Sequence, residues 1–138
     1  MREKLNMSLI EIIKSRNMRL AEWILKEYTP DSEYNVSVNL HDKWGETTFI
    51  WACDRGHLEI AELLLSRQDL DINLQVDGGW TALMDACWRG DLEIVELLLK
   101  REKLDVNLQN KRGVTALDIA YDRGHRDIVE LLERFGAV

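Results

Sequence analysis

The sequence repeats itself with a period of 34 residues. Two glycine series, one threonine series and one asparagine series keep this step: Gly45, Gly79 and Gly113; Gly56, Gly90 and Gly124; Thr47, Thr81 and Thr115; Asn39, Asn73 and Asn107. A fixed period of this size is the signature of a repeat protein, because a single unit cannot bury its own apolar face. We therefore expect a stack of similar units rather than a fold built around one central core.

Each unit is predicted to carry two short helices separated by a glycine. Leu83, Ala86 and Cys87 fall at helical spacing, and the segment after Gly90 carries an apolar stripe at positions i, i+3 and i+4. The glycine suits the left-handed conformation that ends many helices, and the Asp91 that follows it is interpreted as solvated. Asn, Asp and Gly between units favour tight turns. The unit is thus a helix, a glycine turn, a second helix and a hairpin-like loop.

Residues 79–86 and 113–120 resemble the G-x-T-P-L-H-x-A signature of ankyrin repeats. The resemblance covers residues 42–138, about three repeats, and is weaker before them. Non-consensus residues replace the family's Pro at Thr48, Ala82 and Ala116, and its His at Ile50, Met84 and Asp118. The resemblance implies an all-α ankyrin-repeat solenoid of stacked helix-turn-helix units joined by hairpin loops.

On this basis residues 1–138 are interpreted as a single ankyrin-repeat domain. An N-terminal capping repeat spans 1–41, two repeats span 42–75 and 76–109, and a C-terminal capping repeat spans 110–138. The first unit has a six-residue insertion around Thr29-Pro30-Asp31. The last has Arg126 and Glu133 where the preceding repeats have leucine. Polar residues on the outer face are what a terminal repeat needs for solubility, so we expect a complete array.

Charge and composition argue against several classes of partner. The net charge is −7, and an acidic chain lacks the clustered Lys and Arg that nucleic-acid phosphates require. The same charge predicts no attraction to anionic membranes. The sequence has no apolar run long enough to cross a bilayer, and its first residues do not resemble a signal peptide. We expect a monomer in the cytoplasm or the nucleus, with neither a nucleic-acid nor a membrane partner.

The sequence contains no motif that predicts catalysis, a cofactor or a metal. His57 and His125 lack metal-ligand spacing and are interpreted as turn residues that help to start the second helix of their units. Cys53 and Cys87 lie one period apart in the same helix column and are expected to be small core residues rather than a disulfide. Gly78-Gly79 is a hairpin tip and not a phosphate loop. We therefore expect a non-enzymatic protein without cofactors or metals.

Four of the five tryptophans map onto the surface that the resemblance assigns to binding, which consists of the hairpin tips and the outward side of the first helices. Trp23 replaces a leucine in a buried column and is expected to be core. We call the candidate partner-binding residues the concave strip: Lys43, Trp44, Glu46, Trp51, Asp54, Arg55, Asp77, Trp80, Asp85, Trp88, Arg89, Lys111, Arg112, Ile119, Asp122 and Arg123. Trp and Arg are the residues most enriched in binding hot spots.

The leading hypothesis is a non-enzymatic protein–protein interaction module that holds a protein or peptide on this Trp/Arg/Asp surface. One alternative is a reader of methyl-lysine or another quaternary ammonium, in which Trp51, Asp54 and either Trp80 or Trp88 form a cage around the cation. Another is an engineered or scaffold ankyrin protein. The leading hypothesis predicts that truncating a tryptophan of the strip weakens binding without unfolding the protein, whereas truncating Leu97, expected to be buried, unfolds it.

Overall fold

The computed structural model describes residues 9–28 and 37–138. Within these ranges it contains eight α-helices: α1 Leu9–Lys14, α2 Met18–Glu27, α3 Thr48–Asp54, α4 Leu58–Leu65, α5 Ala82–Arg89, α6 Leu92–Leu99, α7 Ala116–Arg123 and α8 Arg126–Arg134. A 3-10 turn at Asp77–Gly79 precedes α5. The all-α prediction is confirmed. The insertion expected around Thr29-Pro30-Asp31 lies outside the described residues.

The described residues form two compact units, of which the first ends at Asp71 and the second spans Ile72–Val138. In the first unit, α1 packs against α2 and α3, and α4 packs against α2 and α3. In the second unit, α5 and α6 pack against each other, as do α7 and α8, while α5 lies against α7 and α6 against α8. Each unit is therefore a stack of two helix-turn-helix pairs.

The recurring threonines set the start of the first helix in three successive pairs. The Oγ1 of Thr47 accepts a hydrogen bond from the N–H of Ile50 at 3.1 Å, and Thr81 caps α5 in the same way. At α7 the cap is reciprocal, because Thr115 accepts from the Asp118 N–H while the Asp118 carboxylate accepts from the Thr115 N–H. Such caps satisfy backbone donors that the helix itself leaves unpaired.

The recurring asparagines connect consecutive helix pairs within each unit. The amide of Asn73 donates to the Lys103 carbonyl at 2.7 Å, and its Oδ1 accepts from the Asp105 N–H at 2.8 Å. Asn39 and Asn107 make the same two-sided bridge to backbone groups between 29 and 32 residues further along the chain. The asparagine is therefore a structural residue of the link between repeats.

Two core assignments made from the sequence are wrong. Trp23 is 50 % exposed, with its ring edge-on to Tyr28 at a centroid distance of 5.5 Å. The buried side of α2 is formed by Ala21, Ile24 and Leu25, and a residue one position before Ile24 points about 100° away from it. Leu97 is only half-buried for the same reason, since the fully buried position on α6 is the adjacent Leu98.

The two turn histidines stand at the predicted places but do not act as side-chain caps. His57 and His125 occupy the N-cap positions of α4 and α8, and neither imidazole bonds to the helix it precedes. Instead the His57 ring stacks on Trp51 and the His125 ring lies against Gly90. None of the described helices has the length and apolar character of a membrane span.

Candidate functional site

A groove of about 750 Å³ lies in the second unit, beside the hairpin tips and the first helices. Six residues of the concave strip line it: Trp80, Trp88, Lys111, Arg112, Ile119 and Asp122. The structure adds four lining residues that were not among the predicted site residues: Gly78, Asn110, Val114 and Asp118. Trp80 and Trp88, which were predicted to share one surface with Trp44 and Trp51, both line this groove.

The centre of the groove is a pair of perpendicular indole rings. The ring of Trp80 meets that of Trp88 at a centroid distance of 6.1 Å and an interplanar angle of 82°, the edge-to-face geometry that aromatic pairs favour. The Arg123 guanidinium carbon lies 4.3 Å from the centroid of the Trp88 ring, a cation–π distance. These contacts orient Trp88, although 46 % of its surface remains exposed.

The hairpins beside the groove are held together by a close backbone contact. The Lys111 N–H donates to the Gly78 carbonyl at 2.9 Å. A Cβ at Gly79 would lie 2.9 Å from the Lys111 nitrogen, so only glycine permits this approach. Because the contact fixes the backbone on either side, it positions both Trp80 and the exposed Lys111 side chain at the groove.

Ile119, which was predicted to lie on the outward side of its helix, is buried. It is 5 % exposed and still lines the groove, so it forms part of the apolar floor and not of the rim. The rim is supplied by exposed charges of both signs, including Lys111, Arg112 and Asp122. An apolar centre with a polar rim is the usual anatomy of a protein-binding surface.

A second groove, of about 940 Å³, lies in the first unit. It is lined by eight residues, four of which belong to the concave strip: Lys14, Arg16, Met18, Trp44, Glu46, Trp51, Arg55 and His57. Trp44 is 67 % exposed, and the ammonium nitrogens of Lys14 and Lys43 lie 4.9 and 4.4 Å from its ring centroid. Lys14, Arg16 and Met18 come from the divergent first helix pair and were not among the predicted site residues.

Trp51 is the main correction to the predicted site, because it is buried with only 8 % of its surface exposed. Its ring stacks on that of His57, with centroids 5.6 Å apart and planes 15° from parallel. The Arg55 guanidinium carbon lies 5.5 Å from the centroid of the same ring. The indole thus folds back over the start of α4 instead of projecting into solvent, and Arg55 already takes the place of a cation near it.

The remaining residues of the strip line neither groove: Lys43, Asp54, Asp77, Asp85, Arg89 and Arg123. Asp54 and Asp85 are half-buried and the other four are exposed. The Asp85 carboxylate forms an ion pair with Arg89, one helical turn away, with 3.5 Å between Oδ2 and Nε. Arg123 nevertheless contacts Trp88, which lines the groove of the second unit.

The described side chains show no arrangement suited to metal binding, since no three His, Cys, Asp or Glu residues in residues 9–28 and 37–138 are grouped closely enough. Cys53 and Cys87 are buried, as expected. Burial raises the pKa of the Cys87 thiol to about 12. Because the thiolate is the nucleophile and metal ligand, Cys87 is an inert core residue at neutral pH.

Comparison with known proteins identifies a family. A family model for ankyrin repeats in three copies matches residues 9–110 and, in a second match, residues 79–137. The two matches together include all eight helices of the described residues. No curated protein matches the chain.

Proposed function

Because the chain belongs to the ankyrin-repeat family, whose repeats generally mediate protein–protein interactions, we propose that it holds a protein or peptide partner in the groove of the second unit. The family is a non-enzymatic interaction module, so the chemistry required of the site is recognition. The groove offers an aromatic centre, a buried Ile119 floor and charges of both signs around them.

The observation that carries this proposal is that the Trp88 ring is partly exposed and yet held in a fixed orientation. Its ring is about half exposed, yet it is oriented by the perpendicular ring of Trp80 and by the guanidinium of Arg123. An immobilised aromatic loses little conformational entropy on binding, so more of the contact energy appears as affinity. Exposed apolar surface with a polar rim is typical of interaction sites, and Trp and Arg dominate binding hot spots.

A methyl-lysine reader is the second candidate, and one observation favours it. Trp80 and Trp88 form a right-angled aromatic corner, and the carboxylates of Asp118 and Asp122 line the same groove. A methylammonium group would find both ring faces and negative charge there. It would have to displace the Arg123 guanidinium from Trp88. The cage predicted around Trp51 has less support, because that ring is buried against His57.

The experiment that tests the proposal is affinity capture from a lysate of the cells that express the protein, followed by reconstitution with the purified partner. Wild type, Trp88→Ala and Trp23→Ala serve as baits. Trp23 is the matched control, because it is exposed to a similar extent, 50 % against 46 %, and lies on α2 of the first unit. Partners retained by wild type and Trp23→Ala but lost by Trp88→Ala support the proposal. Equal retention by all three baits contradicts it.

A paired peptide measurement separates the two candidates. One peptide carries trimethyl-lysine and the other carries the unmodified lysine in the same sequence. A methyl-lysine reader binds the first and not the second, and loses that preference in Asp122→Asn. A general protein-binding groove makes no such distinction between the two peptides.

A further inference from the structure

Arg16 has a backbone conformation that the later helix pairs reserve for glycine. It follows α1 with a φ of 66° and is the one non-glycine residue with positive φ in the described parts of the chain. The equivalent positions after α3, α5 and α7 are the recurring glycines Gly56, Gly90 and Gly124, with φ of 72°, 74° and 75°. In all four, the backbone N–H donates to the carbonyl three residues earlier.

An arginine is an unfavourable choice for this position on structural grounds alone. The left-handed conformation brings Cβ too close to the following carbonyl oxygen, which costs about 1–2 kcal/mol for a residue other than glycine. Glycine carries no such penalty, and the same chain uses it at the three equivalent turns. Strain of this kind persists where the surrounding structure holds it in place, and it clusters at functional sites.

The Arg16 side chain lines the groove of the first unit, together with Arg55, Trp44 and Met18. Among the described residues, neither Arg16 nor Arg55 has a carboxylate at ion-pair distance. Lys14 differs from them, since its ammonium group is ion-paired with Asp42 and lies 3.8 Å from Glu46. Within residues 9–28 and 37–138, the groove therefore presents two guanidinium groups that no carboxylate pairs with, in a chain whose net charge is −7.

The chemistry of these residues selects a carboxylate-bearing peptide. A guanidinium binds a carboxylate through two parallel charge-assisted hydrogen bonds. The part of the Trp44 ring left exposed beside the Lys14 and Lys43 ammonium groups offers apolar contact area, as does the Met18 side chain. Glu46 on the groove and Asp42 beside Lys14 carry negative charge, which disfavours a densely charged polyphosphate chain more strongly than single carboxylates spaced along a peptide. A volume of about 940 Å³ is at the upper end of the usual range for ligand sites, which leaves room for a short peptide segment.

We propose that the groove of the first unit binds an acidic segment of a partner protein. Asp or Glu carboxylates of that segment pair with Arg16 and Arg55, and an apolar side chain beside them packs on Trp44 and Met18. Arg16 stands at a glycine position because this contact requires its guanidinium. The site is separate from the Trp80–Trp88 groove and does not depend on the function proposed for that groove.

A random-sequence peptide library displayed on phage tests the proposal directly. The baits are wild type, Arg16→Gly, Arg19→Gln as a control and Trp88→Ala. Arg19 is an exposed arginine of α2 that does not line the groove. Wild type, Arg19→Gln and Trp88→Ala are expected to enrich peptides rich in Asp and Glu with an apolar residue among them. The synthetic form of the most enriched peptide should bind Arg16→Gly about tenfold more weakly or worse, since hydrogen bonds to charged groups are involved.

Folding is controlled in the same set of variants, because glycine is the residue best suited to this backbone. Arg16→Gly should therefore unfold at the same temperature as wild type or a higher one while losing the peptide. The proposal is overturned if wild type enriches no acidic peptides, if phosphoserine peptides bind better than their glutamate counterparts, or if Arg16→Gly retains the affinity. It is also overturned if Trp88→Ala abolishes acidic-peptide binding, because the peptide would then occupy the second unit's groove.

Discussion

Gly90 lies directly against the ring of His125. A Cβ at Gly90 would stand 2.5 Å from Cε1 and 2.8 Å from Nε2 of the imidazole, closer than any packed carbon can approach. Gly90 also has a φ of 74°, which disfavours side chains independently of space. The turn between α5 and α6 thus excludes a side chain both through its own backbone and through the neighbouring helix pair.

Replacing Gly90 should therefore be far more damaging than replacing the residue after it. Gly90→Val combines left-handed strain with a clash, and we expect a loss of about 3 kcal/mol or more in the free energy of unfolding. Asp91 is not simply solvated, as the sequence suggested: its carboxylate caps α6 by accepting from the Ile94 N–H at 3.2 Å. Asp91→Ala should cost about 1 kcal/mol. Urea denaturation that gives equal losses would contradict this account of the turn.

Arg67 and Asp69 form the basis of a prediction about acid stability. Two parallel hydrogen bonds of 2.8 and 2.7 Å join the guanidinium to the carboxylate, and the buried guanidinium also donates to the Tyr28 carbonyl at 2.7 Å. The hydrogen bond from Arg67 holds the pKa of Asp69 below its ordinary value of 3.8. The stabilisation that this ion pair provides is complete at pH values well above 3.8. It is lost as the pH falls below 3.8 toward the lower pKa that Asp69 has in the folded protein.

Asp69→Asn should lower the free energy of unfolding at neutral pH by about 3 kcal/mol, because the buried Arg67 loses its carboxylate. The difference from wild type should narrow as the pH falls below 3.8. Glu93→Gln is the control, since Glu93 is an exposed carboxylate of α6. Denaturation curves at neutral and acid pH check both points, and a difference between wild type and Asp69→Asn that does not narrow with pH would contradict the pairing.

The Cys87 thiol should remain unreactive in the folded protein. Its pKa is raised to about 12 by burial, so the thiolate is scarce below that pH. Because the unfolded thiol titrates near 9.0, this group's contribution to stability is complete below 9.0 and is lost as the pH rises toward 12. In a Cys53→Ala background, labelling by a thiol reagent at pH 8 should proceed only as fast as unfolding. Fast labelling of the native protein would show that Cys87 is accessible.

Two adjacent leucines of α6 differ in burial, so replacing each of them tests which face of the helix packs in the core. Leu98 is fully buried, whereas Leu97 is half-buried. Leu98→Ala should lower the free energy of unfolding by about 2–5 kcal/mol because it leaves a cavity, and Leu97→Ala should cost less. Thermal and urea denaturation of the two variants measure the difference. A larger loss for Leu97→Ala would mean that the buried face of α6 has been assigned incorrectly.

The repeat period was sufficient to predict a feature that depends on backbone geometry. The left-handed turn at Gly90 was predicted from the glycine series, whereas the period showed the threonine series without indicating that Thr81 caps α5. Large side chains do not follow the period. Trp51 and Asp85 stand at equivalent positions one period apart, but the indole is long enough to fold back onto His57 while Asp85 pairs with Arg89. Exposure of a tryptophan thus depends on neighbours that the period does not specify.

The groove of the first unit could not be predicted from the sequence, for a related reason. Arg16 lies 40 residues before Gly56, and the insertion between them disguises its place in the glycine series. Its significance depends on a φ of 66°, which no pattern of residue types reports. Lys14 reaches the same groove because α1 packs against α3, and Met18 reaches it from the start of α2. The grooves are formed by the packing of helices against one another, whereas the sequence predicts only the individual helices and turns.

The central claim is that Trp88 is a binding residue and not a packing residue. Isothermal titration of the captured partner into Trp88→Ala and into the control Trp23→Ala, with unfolding temperatures measured on the same samples, tests it most directly. We expect Trp88→Ala to raise the Kd by about 30-fold, the equivalent of about 2 kcal/mol, while Trp23→Ala leaves it unchanged and neither variant unfolds earlier than wild type by more than a few degrees. If Trp88→Ala keeps the wild-type Kd, or loses stability as Leu98→Ala does, the groove of the second unit is not the partner site.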